Sequence, residues 1–266
     1  MMDPAFWLKL FLGFLVGSLW ITITTTSAER FGSKVGGLIG GLPSTVVIAL
    51  LFIGFTQSPE IAAEATTVMP LAQGLNGLFV LTFMLLISRG LWLSLVCALL
   101  LWFFQSSLLY LLDIQRFWVS ILGWLILLVF CYLASEKWMK VPSHGKYAIS
   151  YPPIQLVWRA LFGGAVIALA IFMGRLGGPL LGGIFGSFPA MFLSTLVLTY
   201  LAAGPDFSRS VGKSLLTSGL INVPLYEIMV RFLYPNVGLA LGTTLALLFS
   251  LSTGYITFIF MQKRLS

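Results

Sequence analysis

A chain of 266 residues in which 59% are hydrophobic and only 9% are charged is not an ordinary soluble domain, where about a quarter of residues carry charge. The formal net charge of +7 would suggest nucleic acid in a soluble protein, but the basic residues here sit in short loops between apolar runs of about 20 residues, the length that crosses a hydrocarbon layer. Charge therefore reports orientation, nucleic acid is not an expected partner, and the lipid bilayer is. Backbone polar groups in lipid must be satisfied within the segment, and the runs lack the alternation of barrel strands, so the spans are helices.

The hydropathy pattern predicts nine spans. The first runs from about Ala5 to Thr25 and ends at Glu29-Arg30, with no basic stretch before it of the kind that marks a cleavable signal. The second, Val35 to about Phe55, opens on a glycine-rich motif and closes at Ser58-Pro59-Glu60. The third covers about Thr67 to Ile87, and Arg89-Gly90 turns tightly into the fourth, about Leu91 to Leu112. A fifth, about Phe117 to Leu133, precedes the longest polar segment, Ser135 to Pro153. Spans six to nine occupy about Ile154 to Met173, Pro179 to Ala202, Val211 to Leu233 and Val237 to Phe260.

The sequence repeats itself. Gly36-Gly37-Leu38-Ile39-Gly40-Gly41-Leu42-Pro43-Ser44 returns as Gly182-Gly183-Ile184-Phe185-Gly186-Ser187-Phe188-Pro189-Ala190, an offset of 146 residues. The same shift maps Pro59-Glu60 onto Pro205-Asp206 and Asn76 onto Asn222. This divides the chain into residues 1–112 (repeat 1, spans one to four), 113–153 (linker span five and a cytoplasmic loop) and 154–266 (repeat 2, spans six to nine). Span five has no counterpart, so corresponding spans cross in opposite directions and the repeats are inverted.

Of the 15 Lys and Arg residues, Arg30, Lys34, Arg89, Lys137, Lys140, Lys146, Arg159, Arg209, Lys213, Lys263 and Arg264 fall on one side of this map. Only Lys9, Arg116, Arg175 and Arg231 fall on the other. The positive-inside rule then puts the N-terminus outside and the C-terminus in the cytoplasm of a bacterial or archaeal inner (plasma) membrane.

Inverted repeats with Gly/Pro-interrupted segments at matching positions point to a secondary transporter whose path lies at the repeat interface. Proline removes a donor and obstructs the carbonyl four residues earlier, which predicts free carbonyls near Ile39 and Phe185. Gly40, Pro43, Ser44, Thr45, Gly186, Ser187 and Pro189 are therefore the candidate path, against the simpler reading of the glycines as helix-packing strips. Asn76 and Asn222 join them as buried amides, equally well read as interhelical hydrogen bonds; Gln73, Thr217 and Ser218 lie within one or two turns. Glu227, beside an expected break at Pro224-Leu225-Tyr226, is a coupling candidate, with an ion pair to Arg231 as the alternative. Glu60 and Asp206 read as solvated loop carboxylates, and Trp7, Trp20, Trp138 and Trp158 as an interfacial belt.

Cys97 and Cys131 lie inside apolar runs and the single histidine, His144, is in a loop, so no metal centre, disulfide framework or other cofactor is expected. No nucleotide or catalytic motif supports an enzyme. A small-solute transporter is the leading expectation; a channel is the alternative, and a non-transporting scaffold that docks other membrane proteins, or further copies of itself, through its glycine faces is the third.

The second copy, from Gly182-Gly183-Ile184-Phe185-Gly186-Ser187-Phe188-Pro189-Ala190 through Pro205-Asp206 to Pro224-Leu225-Tyr226, resembles the GlpM-like family of small bacterial inner-membrane proteins over residues 154–260. The resemblance implies a four-span unit, here present twice, and an inner-membrane location. It implies no substrate and no catalytic residues.

Overall fold

The structure, a computed structural model, describes residues 3–30, 42–141 and 152–264. Within these the regular structure is helical: α1 (Pro4–Arg30), α2 (Ser44–Thr56), α3 (Pro59–Ala65), α4 (Met69–Leu86), α5 (Leu91–Leu111), α6 (Phe117–Leu133), α7 (Pro153–Gly186) and α8 (Ala190–Arg264). A short 3-10 turn, Ile87–Arg89, links α4 to α5, and a π-helical turn, Ala134–Trp138, extends α6.

The two long helices are not straight rods. Gly177 and Gly178 interrupt α7, and Gly204 and Gly238 interrupt α8. Gly178, Gly204 and Gly238 combine φ of 74–82° with an extended ψ, a conformation open essentially to glycine alone. Pro179 and Pro205 follow directly, as helices that end on glycine and restart on proline do. The arms are 153–176, 179–186, 190–203, 205–237 and 239–264. Pro59-Glu60 and Pro205-Asp206 thus start helices and do not sit in loops: each sets proline at the first position and an acid beside the positive helix end, with Ser58 capping Ile61 in the first copy.

Five helical stretches are long and apolar enough to cross a membrane by length and composition, from Pro4–Thr25 to the continuous run Pro153–Thr257. Their outer faces are greasy. On α6, Phe117, Ser120, Trp124 and Cys131 are buried on one stripe, while Trp118, Leu122, Ile126 and Val129 are more than half exposed. Apolar exposure on that scale is unstable in water and ordinary in lipid.

Small residues set the packing. Ile171, Ile167 and Ile21 rest on Gly13, Gly17 and Gly163 respectively. Along α1 the contacts rise from 13 to 21 while along 153–176 they fall from 171 to 163, so these helices run antiparallel. Gly17 and Ile21 correspond at the repeat offset to Gly163 and Ile167, and the contact is therefore reciprocal. The α4–α6 contacts, Leu71 on Gly123, Leu127 on Gly74 and Cys131 on Gly77, rise together, and those helices run parallel.

The expected break at Pro224 does not occur; the arm 205–237 is helical through it. Proline obstructs the hydrogen bond to the carbonyl four residues back, which is Leu220, and the Trp124 indole of α6 donates to that oxygen at 2.6 Å. The bulk of the linker helix thus carries a donor that keeps the neighbouring helix intact. Trp124→Phe, which keeps an aromatic ring while deleting the N–H and part of the indole volume, should cost at least about 1–3 kcal/mol, the penalty for an unpaired buried carbonyl, read as the unfolding free energy in mixed micelles; an unaltered value would contradict this role.

Candidate functional site

Both proline motifs end at one cavity. It is lined by Leu42, Pro43, Thr45 and Val46 from the first copy and by Phe188, Pro189, Met191 and Phe192 from the second, four pairs matched at the repeat offset, with Gln73, Asn76, Ser187 and Val223 completing the wall. Its free space is about 20 Å³, enough for about one water.

The two breaks share a hydrogen-bond pattern. Ser44 N–H donates to Leu42 O at 2.7 Å and Val47 N–H to Pro43 O at 2.8 Å; Ala190 N–H donates to Phe188 O at 2.7 Å and Leu193 N–H to Pro189 O at 2.8 Å. Two helices, α2 and the arm 190–203, therefore begin at the cavity. The expected free carbonyl at Phe185 is corrected: Phe188 N–H reaches it at 3.1 Å, because Pro189 starts a new arm and does not sit inside a continuous helix. Ser187 O is the carbonyl left over, and Asn76 Nδ2 donates to it at 2.7 Å.

Asn76 is fully committed. Its amide also donates to Gln73 Oε1 at 2.8 Å, and its own Oδ1 accepts from Trp102 Nε1 at 2.9 Å. The Trp102 ring stands edge-on to Phe188, with centroids 4.8 Å apart. One amide thereby joins α4, α5 and the second break. Trp102 was not among the sequence candidates; its position in mid-helix, away from any interface, is the signal, since a buried indole N–H requires an acceptor.

Asn222 is buried but does not line the cavity. It donates to Ser218 Oγ at 3.1 Å, its Oδ1 accepts from Thr253 at 3.4 Å, and its backbone carbonyl accepts from Ser250 at 3.2 Å. Thr217 turns back to Lys213 O. Ser44 is buried behind the lining, with a hydroxyl that has no partner among the described residues. Gly186 faces Met69, whereas Gly183 and Gly182 press on the Ala65 carbonyl and on Gly174, so the glycines of this copy pack helices. Gly40 lies outside the described residues.

Glu227 is fully buried and neither carboxylate oxygen has a hydrogen-bond partner among the described residues. It lies one turn beyond the cavity-lining Val223, on the same helical face. The alternative ion pair with Arg231 is not formed: Arg231 donates to Thr67 Oγ1 at 2.8 Å and Ala63 O at 3.3 Å and covers the Phe117 ring at 4.5 Å. Arg159 is also buried, donating to Thr195 Oγ1 at 2.9 Å; its place two turns inside a helix, past Pro152-Pro153, distinguishes it from the loop cations. Among the described residues no group of His, Cys, Asp and Glu could hold a metal.

Apolar outer faces, glycine-seated helices and a small cavity between two helix starts define an all-helical membrane protein. The chain belongs to the DUF3147 family, whose description is a protein of unknown function and which matches residues 10–115 and 156–259. The two matched segments start 146 residues apart, the offset of the internal repeat. Neither a curated protein nor a solved structure matches the chain.

Because Asn76 serves three elements and Asn222 only two adjacent arms, Asn76→Ala should destabilise more than Asn222→Ala. The former leaves Ser187 O, Gln73 Oε1 and Trp102 Nε1 unpaired, with about 1–3 kcal/mol expected for each buried group abandoned. Thermal unfolding in a mild detergent ranks the two, and the reverse order would refute the assignment.

Proposed function

We propose that the protein is a small-solute secondary transporter of the inner (plasma) membrane, with nine spans arranged as two inverted four-span repeats about a linker helix and a path between the two broken motifs. The observation that carries this reading is the cavity lined by four offset-matched residue pairs, where two helices start among long apolar helices, a place this reading puts at membrane depth. Irregular backbone at that depth is tolerated where it faces protein or lines a wet cavity, and paired broken helices at a repeat interface are the common architecture of secondary transporters.

The antiparallel, reciprocal contact of Gly17 and Ile21 with Ile167 and Gly163 supports inversion, because a two-fold axis in the membrane plane relates helices in that way. Four contacts support the grouping of the helix ends on two faces. Lys213 pairs with Glu136 at 3.0 Å and donates to Val141 O, all on the proposed cytoplasmic side. Lys9 donates to Phe55 O at 2.9 Å, and Arg231 meets Phe117, on the proposed outer side. A wider space of about 240 Å³ between Glu64, Thr67, Asp113, Gln115 and Pro179 serves as the outer mouth, separated from the central cavity by the short arm 179–186. The likeness to GlpM-like proteins belongs to the same proposal, as a statement about the four-span unit.

Alternating access requires the central residues to be wetted from each side in turn. Single cysteines at the cavity-lining Thr45, Ser187, Met191 and Val223 should react with membrane-impermeant reagents from one face or the other, at rates changed by solute; protection of all four from both faces would end the pathway reading and leave the scaffold. Saturation and counterflow in proteoliposomes distinguish a transporter from a channel.

Glu227 is the coupling group in this scheme, a carboxyl held without a partner one turn from the path. Burying an unpaired carboxyl is costly, and the first copy has Leu81 in its place. Glu227→Gln should leave unfolding temperature unchanged or higher while abolishing proton-driven accumulation; flux with the wild-type pH dependence would reject the role.

A further inference from the structure

The cavity is asymmetric in its hydrogen bonding, and the asymmetry identifies a ligand class. Six carbonyls at the two breaks already have a donor: Leu42 O, Pro43 O, Phe185 O, Phe188 O and Pro189 O accept backbone amides, and Ser187 O accepts Asn76. Gln73 Oε1 is taken by the same asparagine. Among the described residues no carboxylate and no basic side chain lines the space.

The donors, by contrast, are spare. Among the described residues the first i→i−4 bonds of the two helices are made by Val47 and Leu193, so the amides of Thr45, Val46, Met191 and Phe192 precede them and have no intrahelical acceptor there. All four residues line the cavity. Gln73 is 3% exposed and, with its oxygen occupied, turns an NH₂ that has no partner among the described residues to the same wall. The Ser187 hydroxyl is 2% exposed and unpartnered. Two helix N-termini, each equivalent to about half a positive charge, and two buried unsatisfied side chains thus converge on a space of about 20 Å³.

We propose that this cavity is a binding site for one small monovalent inorganic anion of chloride size. Helix N-termini with free amides bind anions without a basic side chain. The absence of lysine and arginine from the lining limits the site to a single charge that can leave again. A cation would meet the positive ends of two helices and no carboxylate among the described residues, and a neutral solute would leave most of these donors unused. The inference rests on the reading of the broken motifs as a solute path and names what enters it.

The test uses the full-length protein purified into chloride-free detergent buffer and titrated with sodium chloride against sodium gluconate at constant ionic strength. Chloride NMR line width and thermal unfolding serve as readouts. Saturable chloride binding that raises the unfolding temperature is expected. Gln73→Glu, which puts an acceptor and a charge where the NH₂ stands, should weaken it about tenfold or more, the scale of a hydrogen bond to a charged group. Gln73→Met, which removes the donor without adding charge, should weaken it less. Both variants must keep the wild-type elution profile and helical circular dichroism for the comparison.

A folded wild-type protein with no saturable chloride response, or an affinity untouched by Gln73→Glu and Gln73→Met, overturns the inference. Proteoliposomes separate it from the transport reading. Gln73-dependent chloride binding with no flux of chloride or any tested solute upholds the site and defeats the path. Uptake of a neutral solute that chloride neither occupies nor inhibits does the opposite.

Discussion

A peptide carbonyl released inside hydrocarbon has no water to turn to, and the cost of leaving it alone is several kcal/mol. Much of the internal organisation of this chain answers that constraint. At the second break, Ser187 O is met by Asn76 at 2.7 Å, and Asn76 is itself oriented by Gln73 and by the Trp102 indole. In mid-helix, the carbonyl obstructed by Pro224 is met by Trp124 from the linker. Nearer the surface, at the end of α2, the exposed Phe55 O is met by Lys9. In each case a side chain from a distant part of the sequence completes a local backbone, so tertiary packing and helix irregularity are one arrangement.

That arrangement separates what could be read from residues alone from what could not. Helix extent was legible because it depends on local apolarity and on glycine and proline: the expected limits of α6 coincide with Phe117–Leu133, and Arg89-Gly90 is a turn as expected. The repeat grouped Pro43, Thr45, Asn76, Ser187 and Pro189, which share one cavity, with Ser44, Gly186 and Asn222, which do not line it, because an offset matches positions in sequence and not the direction a side chain takes. Pro224 was not legible, since the same residue kinks a helix or leaves it whole according to whether a donor such as Trp124 stands opposite, about a hundred positions earlier in the chain. The acids after Pro59 and Pro205 were misread for a simpler reason: proline begins helices as readily as it ends them.

The two copies share a skeleton and differ in what they hang on it. Trp102 and Gln73 have Leu248 and Gly219 as their counterparts, Asn76 has Asn222, and Glu227 has Leu81. The retained pair is an asparagine that ties helices together in both copies, whereas the polar groups facing the cavity or standing unpaired beside it occur in one copy only. Duplication accounts for the architecture, and divergence has made the two halves of the central wall chemically distinct.

The glycine seats between α1 and the arm 153–176 carry a mechanical consequence. Ile171, Ile167 and Ile21 rest in turn on Gly13, Gly17 and Gly163, three seats along one line of contact. Tilting one helix against the other would load the outer two seats in opposite senses. Filling any seat with a larger side chain would drive a wedge into that line and push the two helices apart.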